Sequence, residues 1–194
     1  MTSSMLKTDV TPQKLNETYQ RDYYWYLKSP AFRTMFLERI GGLVNGYGDP
    51  VLDVGCGEGW LADYVTVPYV GVDGSEEAIA TARQRVKRPA EQFCVARFED
   101  RRDIDILSGR GQFPTIVFGG MLDVYVKPQE RVTLLEQYLR FGTKRFVIYD
   151  LERMDHRPLA KRFRLVHEWH GTAIVPQIKM VKRKRKILVY EVDP

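Results

Sequence analysis

Two hydrophobic rhythms alternate along this chain. Short, mainly apolar runs at 51–54, 69–73, 91–96, 113–118 and 145–151, several of them bounded by Gly or Pro, predict buried strands. Between them, apolar residues recur every three or four positions. Ile79, Ala82 and Val86 follow Ser75, a natural N-cap backed by Glu76 and Glu77, and Val132, Leu135 and Leu139 follow Pro128 and stop at Gly142. Each of these stretches predicts a helix covering the sheet, and the alternation is that of an α/β fold. Ahead of the first strand, Ser29 and Pro30 open a helix with Phe32, Met35, Phe36, Leu37 and Ile40 on its apolar face, predicted to stop at Gly41 and Gly42. A further helix is predicted from Pro12 to about Lys28, after a loose leader over residues 1–11. That helix carries Tyr19, Tyr23, Tyr24, Trp25 and Tyr26, too many rings to turn inward together, so Tyr23 or Tyr24 is expected to face a pocket. Toward the C-terminus the pattern predicts a short helix over 157–163 and strands over 164–169 and 186–192.

The first strand ends in glycines at alternate positions, Asp53-x-Gly55-x-Gly57-x-Gly59, and Trp60 then begins a helix. A strand-to-helix turn this tight uses positive φ, and a ligand that touches the main chain leaves no room for a Cβ. The second strand ends in Asp73, placed to accept hydrogen bonds from the two hydroxyls of a ribose. The glycine spacing differs from the G-x-G-x-x-G of dinucleotide-binding folds.

With its preceding acid, the G-x-G-x-G turn resembles the first motif of class I S-adenosylmethionine-dependent methyltransferases, and Asp73 resembles the acid of their second. The resemblance implies a Rossmann-like, seven-stranded, mostly parallel sheet with helices on both faces and an antiparallel C-terminal hairpin at its edge. It implies one domain over 1–194, with a helical cap at 1–48, a cofactor-binding core at 49–152 and a C-terminal helix and hairpin at 153–194. The implied cofactor is S-adenosylmethionine, bound by Asp53, Gly55, Cys56, Gly57, Gly59, Asp73, Gly74, Phe98 and Gly119. The chain departs from the family after the third strand, where Ala96 and Arg97 stand in place of the usual Gly and Asp. An arginine cannot accept from the adenine amine, so the main chain around Phe98, or Glu99 or Asp100, is expected to read that edge. The stretch from Thr115 to Leu122 resembles the fourth motif, whose main chain lies near the methyl group; the Pro-Pro signature of amino-methylating enzymes is absent.

The whole chain has 194 residues, 44% hydrophobic and 28% charged, values of an ordinary globular domain. No apolar run is long enough to span a bilayer, and the N-terminus lacks the apolar core of a secretory signal. Cys56 and Cys94 are the only cysteines, and their placement argues against a disulfide and for a cytoplasmic protein. The net charge is +5 and unevenly spread: Arg83, Arg85, Lys87 and Arg88 end a predicted helix, and Lys179, Lys182, Arg183, Lys184, Arg185 and Lys186 crowd the C-terminal end. Such a run reads either as a solvated strand edge guarded against pairing or as a phosphate-binding patch.

Methyl transfer from a sulfonium is a displacement that alignment alone accelerates. An oxygen acceptor adds the need for a base. Asp123 and Tyr125 are the candidates nearest the expected methyl, with His156, His167 and His170 further off. His167 and His170 sit three apart on a predicted strand and point to opposite faces, so no metal site is expected. The short chain and aromatic cap favour a small-molecule acceptor; the basic run keeps a nucleic-acid acceptor open, and a non-catalytic binding module is the third alternative. Oligomeric state is not legible.

Overall fold

The computed structural model describes residues 11, 13, 17, 29–89, 92–175 and 181–193. Seven strands form one sheet: β1 (Val51–Val54), β2 (Tyr69–Asp73), β3 (Phe93–Val95), β4 (Thr115–Gly119), β5 (Arg145–Leu151), β6 (Arg164–Val175) and β7 (Val181–Glu191). Their order across the sheet is β3-β2-β1-β4-β5-β7-β6. The first five pair in parallel, and β7 enters antiparallel between β5 and β6. This is the mostly parallel sheet with an antiparallel C-terminal pair that the sequence implied. Chain order reverses at β1, with β2 on one side and β4 on the other, and such a switch point opens a crevice beyond the carboxyl ends of the strands.

All four residues of β1 are buried, because both faces of the sheet are covered. Alternate side chains feed two cores. On one face Leu52, Val54, Phe118, Ile148 and Leu188 pack with Leu134, Leu135 and Phe163. On the other, Val51, Val117, Val147 and Ile187 pack with Phe32, Phe36 and Ile40. These last three come from helix α1, residues 30–47, which is α-helical at Pro30–Phe32, widens to a π turn at Arg33–Leu37 and is α-helical again at Glu38–Tyr47.

Helix α1 does not stop at Gly41 and Gly42 as predicted. It runs on to a left-handed Gly48 at φ 71°. Gly41 is there for contact: a Cβ on it would lie 2.6 Å from both Cβ and the carbonyl oxygen of Tyr64. The ring-rich segment of 18–28, with Tyr23 and Tyr24, lies outside the described residues; Gln13 and Glu17 ahead of it are helical and hydrogen-bonded to each other. Helix α2 (Glu76–Arg85) starts as predicted, Ser75 Oγ accepting from Ala78 N at 3.2 Å. The turn after the glycines is a single 3-10 turn, Trp60–Asp63, rather than a full helix.

Helix α3 (Arg101–Ile106), capped by Asp100, was not anticipated, because its apolar positions are few. A short helix α4 (Leu122–Tyr125) leaves β4. The helix predicted after Pro128 divides into a 3-10 turn at Pro128–Glu130, α5 at Arg131–Glu136 and another 3-10 turn at Leu139–Phe141 before Gly142 ends it at φ 68°. Helix α6 (Arg157–Ala160) precedes β6. Strands β6 and β7 are longer than their apolar cores suggested, and the link between them, 176–180, lies outside the described residues. The edge reading of the basic run is corrected in part. β7 is paired on both sides from Arg185 to Glu191, and Arg185 and Lys186 are buried, whereas 181–184 pair with β6 beyond the end of β5 and Lys184 is exposed.

Candidate active site

Three glycines make the exit from β1 possible: Gly55, Gly57 and Gly59 have φ of 76°, 54° and 74°, values that side-chain-bearing residues adopt only at a cost. The first turn is locked to the end of β2, since Gly55 N and Cys56 N both donate to Val72 O, at 2.8 and 2.9 Å. Asp73 finishes the clamp. One of its carboxylate oxygens accepts from Gly57 N at 3.0 Å and the other from Ser75 N at 2.9 Å. Two strand ends are thereby joined by one carboxylate.

Beneath this loop lies a second acid. Asp53 is 3% exposed and accepts from Tyr69 Oη at 2.6 Å. Burial pushes its carboxyl up to about 7; the Tyr69 hydrogen bond works against that rise and the charge of Asp73 adds to it. Burial, reinforced by the charges of Asp53 and Asp73, also holds the Cys56 thiol well above its ordinary range. Cys56 is thus a neutral, packed thiol and no nucleophile. Both described cysteines are free.

A crevice open to solvent lies beside the loop. Asp53, Gly55, Cys56, Gly57, Asp73, Gly74, Phe98, Gly119 and Tyr125, all singled out from the sequence, line it. Two predicted residues do not. Gly59 faces away from the crevice, and a Cβ there would lie 3.0 Å from both Phe93 Cε1 and Val86 Cγ2, so packing against α2 and β3 explains it. Asp123 is bound between two guanidiniums, Arg153 Nε at 3.1 Å and the buried Arg131 Nη2 at 3.5 Å, off the crevice wall.

Three of the groups expected around adenine are engaged elsewhere. Glu99 accepts from Arg97 Nε at 2.8 Å, Asp100 caps α3 through Arg102 N at 2.9 Å, and Phe98 O accepts from Tyr138 Oη at 3.0 Å. The departure at Arg97 therefore closes on itself as an ion pair, while the Phe98 ring and Ala96 remain on the crevice wall. His156 is hydrogen-bonded to Tyr190 Oη at 2.9 Å and His170 to Glu168 at 3.1 Å; neither they nor His167 line the crevice. Among the described residues, no group of three or more His, Cys, Asp or Glu side chains is placed to hold a metal ion.

Sequence reasoning missed the far wall: Leu37 and Ile40 of α1, Gly120 and Met121 after β4, and Tyr149 of β5. Tyr149 sits in a continuous apolar run, which does not say which face a residue takes. Leu37 falls in the π turn of α1, a geometry that residue spacing does not announce.

Residues 51–145 match the model of a methyltransferase domain. The chain is a class I S-adenosylmethionine-dependent methyltransferase, with S-adenosylmethionine as its cofactor. No curated protein matches it by sequence. Several solved structures share its fold at low identity. An S-adenosylmethionine-dependent methyltransferase from Anabaena variabilis ATCC 29413 aligns over 100% of both chains at 13% identity with a TM-score of 0.72. Magnesium protoporphyrin IX methyltransferase from Synechocystis PCC 6803, with bound S-adenosylmethionine, aligns over 95% of this chain and 100% of that one at 13% identity and a TM-score of 0.63. The plantazolicin methyltransferase BpumL, in complex with a triazolic desmethylplantazolicin analogue and S-adenosylhomocysteine, aligns over 94% and 96% at 15% identity and a TM-score of 0.60. In this methyltransferase the residues present suit the cofactor. Glycine turns bare of Cβ, two carboxylates against a cationic ligand and an apolar wall from Phe98 to Met121 surround one crevice.

Proposed function

We propose that this enzyme methylates an oxygen or nitrogen of a small molecule. When bound, S-adenosylmethionine supplies a methyl carbon that an acceptor lone pair takes as the carbon–sulfur electron pair returns to sulfur, leaving S-adenosylhomocysteine. Asp73 would hold the ribose, with Gly55, Gly57 and Gly74 giving main-chain contact and Phe98 covering the adenine. Asp53 and Cys56 form the floor, and Gly119 brings bare main chain to the reacting end. Tyr125, on α4, faces the same space and orients the acceptor. The cytoplasm is the setting we assign, supported by two free thiols.

The observation that carries this reading is a crevice continuous from Asp73 to Tyr149, acidic at one end and apolar at the other. Its acceptor end lies within the fold, where a small molecule fits better than a polymer. The inward course of Arg185 and Lys186, each 4% exposed, favours the same acceptor class, since it removes two cations from the run a nucleic acid would need. BpumL and magnesium protoporphyrin IX methyltransferase, named for plantazolicin and magnesium protoporphyrin IX, add support from fold alone. Calorimetric titration with S-adenosylmethionine and, side by side, a nicotinamide dinucleotide tests the donor: binding of the first alone is expected, and binding of the second alone overturns the reading. Labelled methyl donor with a small-molecule panel and with bulk RNA tests the acceptor, and label appearing only in RNA overturns that half.

A further inference from the structure

Across the sheet, β1 lies between β2 and β4. Asp73 closes β2 and Gly119 closes β4, while Asp53 sits in β1 between them, opposite Gly71 on one side and Val117 on the other. A molecule with its ribose at Asp73 and its methyl at Gly119 therefore crosses β1. In S-adenosylmethionine the sulfonium stands between ribose and methyl, so its positive charge comes over Asp53.

The wall it meets is acidic. Asp53 and Asp73 both line the crevice, and among the described lining residues there is no Lys, Arg or His. Asp53 is 3% exposed and accepts one hydrogen bond, from Tyr69 Oη. Around it stand Tyr69 and Asp73 of β2 and Cys56 of the glycine turn; β4 and α1 bring the apolar Val117, Leu37 and Ile40 to the same wall. Arg88 reaches only the Tyr69 ring, its guanidinium carbon 5.4 Å from the ring centre. Burial without a cation favours the protonated carboxyl, and the charge of Asp73 favours it further. A positive charge beside Asp53 reverses that balance.

Resting on the methyltransferase reading, we infer that Asp53 tells the donor from its product: it is ionised beneath the sulfonium of S-adenosylmethionine and protonated beneath the thioether of S-adenosylhomocysteine. As the acceptor lone pair bonds to the methyl carbon, the carbon–sulfur pair returns to sulfur and the charge over Asp53 disappears. Asp53 then takes one proton from solvent. Donor uptake expels a proton and product formation restores it, so the crevice favours exchange of spent product for fresh donor. The sign of the pH dependence follows. As pH falls below about 7, the folded-state value for Asp53, binding of S-adenosylmethionine requires loss of a proton and weakens, whereas binding of S-adenosylhomocysteine does not.

The test is calorimetric titration of the full chain with each ligand in two buffers of different ionisation enthalpy, which counts the protons released. Near pH 6.5, S-adenosylmethionine is expected to release about half a proton or more beyond S-adenosylhomocysteine, and its relative affinity to grow at least about fivefold from pH 5.5 to pH 7.5. Asp53→Asn should collapse both differences. Tyr69→Phe removes a hydrogen bond that favours the ionised form, so the pH at which relative affinity grows should move upward. Circular dichroism checks that both variants fold. Equal proton release by the two ligands in the unmodified protein, a difference that persists in Asp53→Asn, or an unmoved midpoint in Tyr69→Phe overturns the inference. Binding of neither ligand is a separate outcome, which takes the methyltransferase reading down first and this inference with it.

Discussion

The two ends of the crevice are built differently. At the donor end Asp53, Gly55, Gly57, Asp73 and Ser75 lie within one strand–turn–strand unit and are joined by short main-chain hydrogen bonds. At the proposed acceptor end Leu37, Gly120 and Tyr149 come from α1, the loop after β4 and β5, and meet only through tertiary packing. A local unit carries its instructions in residue spacing. A wall assembled from three distant segments does not.

The sharpest way to break this comparison is at Asp73. Asp73→Ala removes the proposed ribose acceptor and frees two main-chain N–H groups, so affinity for S-adenosylmethionine should fall by about 100-fold or more, read by calorimetry. Unchanged affinity would place the ligand elsewhere. Next comes Gly57→Val, which forces a β-branched residue to φ 54° and sets a side chain against the ligand. A loss of roughly tenfold or more in affinity is expected with the circular dichroism spectrum preserved, since the backbone strain alone is only about 1–2 kcal/mol.

Asp53 tests the donor end through pH. Its folded-state carboxyl is raised to about 7 against an unfolded value of 3.8, chiefly by burial. Its contribution to stability is therefore fully present below about pH 4 and is lost as pH rises to 7. Asp53→Asn should flatten this fall, so that the variant gains melting temperature relative to the parent at pH 8 but not at pH 4. The gain should be a few kcal/mol at most. A pH profile shared by both proteins would show that Asp53 does not titrate in this window.

The smallest effect is expected at the shoulder of the acceptor end. Arg153 is 79% exposed, so Arg153→Ala should cost less than about 1 kcal/mol in denaturant titration despite its contact with Asp123. Asp123→Asn sharpens the point. It should lower stability by about 1–3 kcal/mol by weakening the hold on buried Arg131, while kcat for methyl transfer stays within a few-fold. A fall in kcat of a hundredfold or more would restore Asp123 as a base.

Legibility in the sequence follows the same division. The strands of the core, the cap at Ser75 and the stop at Gly142 could be read because each depends on a local pattern, while the sheet order and its antiparallel pair came from the resemblance that the glycine motif carries. Gly41 could not, because its reason is Tyr64, far along the chain, and glycine in a helical pattern usually signals an end. Gly59 matched the motif, yet its neighbours are the core side chains Val86 and Phe93. Asp123 stood at the right place in sequence, and only the convergence of Arg131 and Arg153 shows why it is occupied. The basic run misled for a simpler reason. Five cations in succession at 182–186 hide the alternation that, in β7, sends one residue of each adjacent pair to each face of the sheet.

That alternation makes β7 a frame that can be misread. Every pairing of β6 is with β7, and β7 meets β5 with Leu151 opposite Arg185 and Asp150 opposite Lys186. Slipping by a single residue would exchange the two, carrying the guanidinium to the opposite face of the sheet and an ammonium toward Tyr149. Which cation lies beside Tyr149 is thus settled by strand registration alone, so an insertion upstream of position 185 would change what is buried there without touching any residue of the glycine loop.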